Sequence, residues 1–226
     1  MKSSSCHILR CCLIAYLLLL CGAICARGNI IRTDVNPKTP VLKDEQGNYI
    51  LEDGGVYTVS GTVNANIKGS GDIGLRMEDG TVINGCVELL GTKGDVDRKL
   101  PRIWVDYTCH ATINNPGKVA LQAGSHRPTF IEYCGTLVVN GNVSGMLQLT
   151  DGGTTLVVNG NMNDGSAYLD KETWLRLKGT IFEGVMIRAE YGPDGKNANI
   201  TDTYISEGEG DYKVFYGGEE SEEFSF

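Results

Sequence analysis

Histidine is scarce. The 226 residues contain three, and His7 lies within the first 26. With only His110 and His126 beyond it, a His-based triad or a zinc centre has almost no ligands to draw on. Proline is scarce too, at six residues against thirty glycines, and aromatic residues make up 8%. That composition excludes a collagen, a coiled coil and a Pro-rich linker. Positive charge is in deficit: 20 Lys+Arg face 28 Asp+Glu, and the net charge of −8 argues against general nucleic-acid binding. There is no Gly-rich phosphate loop, HExxH, CxxC or nucleophile elbow. Beyond Arg27 no segment sustains an apolar pattern at i, i+3, i+4, i+7, so amphipathic helices are not the building block. What remains is a single Gly-punctuated β domain with a sizeable core.

The longest uncharged run stands at the start. Cys11 to Ala26 follows Lys2 and Arg10 without a charge and ends in the small residues Gly22, Ala23, Cys25 and Ala26. Its 16 residues would reach roughly 24 Å as a helix, short of the ~20 residues of a membrane span. Residues 1–26 therefore read as a secretory signal peptide, with a retained signal anchor as the alternative. Cleavage leaves an exported chain without a stable membrane span, bound for the cell surface, the periplasm or the medium. It also removes five of the eight cysteines and leaves Cys86, Cys109 and Cys134.

After that leader, a short phrase recurs: a β-branched pair, an Asn, then a small or polar residue. Its asparagines are Asn64, Asn84, Asn114, Asn140 and Asn159, at gaps of 20, 30, 26 and 19. GTLVVNGNVSG superposes on TTLVVNGNMNDG with a shift of 19, which makes Val139 and Val158 equivalent inward positions. In a second register Val105–Cys109 matches Ile131–Cys134 with one residue of slippage, which a β-bulge could absorb. The longer gaps then hold insertions at 91–102 and 115–128. A period of this length predicts an all-β, single-domain parallel β-helix, or β-solenoid, with coils of about 19–30 residues. One coil cannot bury its own apolar face, whereas coils stacked about 4.8 Å apart share a core. Asn at a repeated corner would tolerate the left-handed conformation and bond the Asn above and below. A β-sandwich with similar hairpin turns is the competing architecture.

The segment Tyr49–Gly61 followed by Gly80–Gly85 resembles the opening of pectate-lyase-like right-handed parallel β-helix proteins. Residues 135–187, with their Val-x-Gly rhythm, are similar to bactofilins, which form head-to-tail β-helical filaments. The first resemblance implies a parallel β-helix fold, some of whose members bind or cleave acidic polysaccharides, and the second implies self-association. The chain divides into the signal (1–26), an N-terminal arm or cap (27–48), the solenoid (49–207) and an acidic C-terminal strand or tail (208–226).

The densest chemistry lies at Asp95–Tyr107 and, one coil later, at His126–Tyr133. Trp104, Asp106 and Thr108 alternate with Ile103, Val105 and Tyr107, so one set faces outward. A tryptophan beside Arg and Lys on a flat sheet is what an anionic sugar polymer needs: ring stacking and guanidinium–carboxylate pairs. The candidate ligand-binding residues are Arg98, Lys99, Arg102, Trp104, Asp106, His126 and Arg127; the competing reading is a solvated loop and a partly buried Trp. A lyase would add an Arg or Lys base and Ca²⁺ held by carboxylates, with Asp95, Asp97, Asp106 and Arg102 as the only sketch of such a centre. No metal site or catalytic residue is assigned, and Ca²⁺ is the sole cofactor candidate. Cys109 and Cys134, about one coil apart, are the best-matched pair for a disulfide and leave Cys86 alone; a reduced ladder of small hydrophobes is the alternative. Three functions follow in order: an exported non-catalytic surface binding or adhesion module, with extracellular polysaccharide or a surface glycan as partner; a self-assembling fibre or coat subunit; a small polysaccharide lyase.

Overall fold

Along Thr136–Ser144, Leu137, Val139 and Val143 are buried while Thr136, Val138, Asn140 and Asn142 stay half-buried. That period of two is a strand with one face in a core. The same alternation recurs through a computed structural model that describes residues 28–91, 100–170, 172–182 and 185–189, and the strands Tyr204–Ser206, Tyr212–Tyr216 and Glu219–Phe224, with side chains as far as Ile187. No helix occurs among the described residues. The strands form one eleven-stranded and one ten-stranded sheet, and successive segments pass between them. Neighbours in the ten-stranded sheet are parallel, as are those of the larger sheet from Val56–Ser60 to Tyr212–Tyr216. The fold is all-β and solenoid-like.

Rows of aliphatic side chains run across the strands and meet between the sheets. In the larger sheet Tyr57, Leu75, Ile103, Ile131, Leu149 and Leu169 lie in one line. In the smaller, Val63, Ile83, Ile113, Val139, Val158 and Leu177 do the same, with Val139 opposite Val158 as the repeat required. All twelve are buried. Each is worth about 1.5–3 kcal/mol relative to exposure, and none could be buried by its own strand alone.

The recurrent asparagines form a ladder on the smaller sheet. Asn84 Nδ2 donates to Asn64 Oδ1 at 2.7 Å, Asn114 to Asn84 at 3.0 Å, Asn140 to Asn114 at 2.6 Å and Asn159 to Asn140 at 2.7 Å. Every amide points the same way. None of these asparagines has a left-handed backbone, contrary to expectation; apart from glycines, positive φ among the described residues falls on Thr108, Tyr133, Cys134, Asp151 and Glu172. The asparagines lie within or directly after extended strands, so their amides bond along the stack without a left-handed conformation.

The insertion expected at 115–128 is mostly strand. His110–Gln122 runs unbroken, and four residues, Asn115 to Lys118, bulge against the single residue Gly141 of the neighbouring strand. Asn115 Nδ2 closes the bulge on Val119 O at 2.8 Å. A Cβ at Gly141 would come within 2.6 Å of Asn115 O, so only glycine fits beneath it. The insertion expected at 91–102 falls largely on residues 92–99, outside the described ones.

At both ends the larger sheet changes sense. Asn29–Arg32 pairs antiparallel with Val56–Ser60 and carries Thr39–Pro40 on its far edge, while Glu219–Phe224 pairs antiparallel with Tyr212–Tyr216. Both ends of this sheet thus differ in direction from its middle.

Candidate functional site

The outer face of the larger sheet gathers the polar and aromatic residues. Register puts Thr58, Arg76, Trp104 and Glu132 in one row. A second row holds Gly74, Arg102, Phe130, Gln148 and Tyr168. Ile103 and Val105 point into the core, which turns Arg102 and Trp104 outward.

Trp104 is half-buried and fixed on three sides. Its Nε1 donates to Glu132 Oε2 at 2.9 Å, and its ring meets Tyr133 edge-to-face, centroids 5.7 Å apart at 79°. The indole also lies over Gly74, where an added Cβ would stand 2.5 Å from Cη2. Glu132, only 9% exposed, uses its other oxygen to accept from Arg102 Nη1 at 3.1 Å. The Arg102 guanidinium in turn sits 5.3 Å from the Phe130 ring centre. One carboxylate on one strand therefore orients both an indole and a guanidinium on the next.

Beside this group Arg76 pairs with Asp106, and the carboxylate holds the Arg76 guanidinium above its ordinary range. Tyr133 takes a left-handed φ of 77° and is 50% exposed. Its backbone N–H donates to Asp151 Oδ2 at 3.0 Å, which anchors the corner in a conformation that costs a non-glycine residue about 1–2 kcal/mol.

The expected residues divide. Arg102, Trp104 and Asp106 share this face, and Glu132, Phe130 and Tyr133 join them. His126 and Arg127 occupy the turn before Thr129–Glu132, at the opposite edge of the sheet from Tyr133, on the order of 15 Å along the chain from Glu132. Arg127 packs its backbone against Gly91 and Gly124 there. Arg98 and Lys99 lie outside the described residues, as do Asp95 and Asp97. Tyr107 does not point inward as the alternation implied: the strand stops at Val105, and Tyr107 stands in a turn with 76% of its surface exposed.

Sequence reasoning missed Arg76 and Gly74. Both sit one strand earlier, opposite Trp104 and Arg102. The signal was the apolar pair Leu75/Met77, which matches Ile103/Val105 at a shift of 28.

Cys109 and Cys134 are free, as is Cys86, and this corrects the expected disulfide. Trp104 pairs with Glu132 and His110 with Thr136, so the turn before Cys109 carries two residues more than the turn holding Cys134. The register of Val105 with Ile131 fails for the same reason: Ile131 faces Ile103, a shift of two residues that leaves the buried face unchanged. Cys109 then falls in line with Gly135, while Cys134 sits at a left-handed corner beside Gly153. Burial raises the Cys134 thiol, and Asp151 adds to the effect; Cys86 is pushed up to about 11, first by burial and then by Glu88, with Lys68 opposing.

Among the described residues no three His, Cys, Asp or Glu side chains are grouped to hold a metal ion. No described helix is long and apolar enough to cross a membrane. No family model, no curated protein and no solved structure matches this chain.

Proposed function

We propose that the chain is an exported, non-catalytic parallel β-helix with coils of about 19–30 residues, and that its outer face around Trp104 holds a glycan. The observation that carries this reading is the Trp104 indole, pinned by Glu132 and flanked by the half-exposed Tyr133. A fixed ring edged by carboxylate and guanidinium groups suits a pyranose, which offers C–H faces for stacking and hydroxyls for polar bonds. Paired asparagines 20, 30, 26 and 19 residues apart support the coil length. Export rests on the Cys11–Ala26 run and its flanks.

Holding rather than cleaving is favoured by how the charged groups are used. Among the described residues, Arg102 is engaged by Glu132 and Arg76 by Asp106, so these two guanidiniums already have carboxylate partners. Antiparallel strands at both ends of the larger sheet favour a discrete module over a fibre subunit. Affinity electrophoresis of the mature protein on a panel of glycans tests the reading, run beside an absorbance assay for unsaturated products. Retention without product, lost in Trp104→Ala, is the expected result. Product release would turn the case to the lyase, and filaments without retention would turn it to the fibre.

A further inference from the structure

We infer that the ligand of this face is an uncharged, extended polysaccharide that lies along the stack, crossing the strands rather than following them. The inference rests on the glycan reading above and narrows it in two respects, charge and direction.

Charge comes first. The cations in this group are already matched: Arg102 to Glu132 on the next strand, and Arg76 to Asp106, just past the end of the next strand. An anionic polymer could reach the remaining guanidinium N–H groups only by bringing its own carboxylates close to Asp106 and Glu132, where each cation's charge is already matched. Separating Arg102 from Glu132 also disturbs the carboxylate that holds the indole. The chain as a whole, at −8, repels polyanions at long range. Neutral hydroxyls face none of these costs. They donate to the remaining carboxylate lone pairs and accept from the remaining guanidinium N–H groups while both ion pairs stay closed.

Direction follows from the rows. Gly74, Arg102, Phe130, Gln148 and Tyr168 stand on five successive strands. At ~4.8 Å per strand the row spans roughly 19 Å. The spacing is about the length of one pyranose, so successive sugars of an extended chain meet successive strands. The platforms are spread to match: Trp104 towards one end, Phe130 and Tyr133 on the middle coil, and Tyr168 beyond Gln148, whose amide is held by Asp170 at 3.2 Å. A ligand confined to one strand would meet Trp104 or Tyr168 but not both. Gly74 keeps one end of the row flat, because the indole occupies the space of its missing side chain.

The test is calorimetric titration of the mature protein with neutral β-linked gluco-, xylo- and manno-oligosaccharides, from disaccharide to hexasaccharide. Oligogalacturonates of the same lengths run in parallel, at low and high salt. At least one neutral series should gain roughly tenfold or more in affinity with length and be insensitive to salt. Tyr168→Ala should remove that gain, so that hexasaccharide affinity falls to the level of the disaccharide. Gly74→Ala, which displaces the indole without altering a charge, should weaken short and long chains alike; thermal melts confirm that both variants fold. Binding confined to the uronates and weakened by salt overturns the inference while the glycan reading stands. Length-independent binding, or Tyr168→Ala acting equally on short and long chains, overturns the direction. Absence of binding to every sugar removes the glycan reading and the inference with it.

Discussion

The two outer faces of the stack are built on opposite rules. On the smaller sheet Asn64, Asn84, Asn114, Asn140 and Asn159 repeat one residue at one register, and each amide satisfies its neighbour. On the larger sheet the equivalent row reads Thr58, Arg76, Trp104, Glu132, and no residue repeats. Repetition consumes its own hydrogen-bonding capacity and leaves a structural ladder. Variation brings unlike groups side by side, and one of them, Glu132, holds two others in place. In a stacked fold, the row that departs from its own repeat is therefore where recognition is to be sought.

Both faces share one interior, so the largest effect comes from beneath them. Val158→Asp buries an unpaired charge in line with Val139 and should cost at least about 3 kcal/mol, seen in denaturant titration as loss of both faces at once. Trp104→Ala should separate the faces: glycan retention falls by about 1–3 kcal/mol in affinity electrophoresis while the Asn ladder is untouched. Asn114→Ala should do the reverse. It removes a donor to Asn84 and an acceptor for Asn140, costing about 1 kcal/mol of stability by thermal melt, and leaves retention unchanged.

Cys86 lies on the ladder side, and its raised pKa gives a pH signature. A thiol held protonated to about 11 when folded and ionising near 9 when unfolded contributes stability below about pH 9, which is lost as pH climbs towards 11. Cys86→Ala should flatten part of that alkaline decline; Tyr57, also raised by burial, supplies more of it. Alkylation with iodoacetamide near pH 8 should be slower at Cys86 than at an unhindered thiol. Lys178→Ala, exposed one strand beyond Asn159, should change stability by less than about 0.5 kcal/mol.

How much of this was legible in the sequence follows the same division. The Asn ladder and the Val139–Val158 pairing were visible because LVVNGN recurs at a shift of 19, and identity reveals register. The Trp104 group was only half visible. Arg102 and Asp106 were singled out, but Arg76 and Gly74 lie at a shift of 28 where only apolar alternation repeats. The disulfide failed on turn length: two additional residues before Cys109 move it out of line with Cys134, and matching Tyr-Cys phrases could not reveal that. Tyr107 failed for a related reason, since alternation holds only as far as the strand does, and this strand ends at Val105.

The central claim is that Trp104 is where a sugar is held, and the two tryptophans make it directly measurable. Trp104 lies on the larger sheet and Trp174 on the smaller, so their indole N–H signals in a ¹H–¹⁵N correlation spectrum report the two faces separately. Assigned through Trp104→Phe and Trp174→Phe and titrated with neutral hexasaccharides, the Trp104 signal should move saturably while the Trp174 signal stays in place. Movement of Trp174 alone, or of neither with every sugar tried, would contradict the assignment of this face.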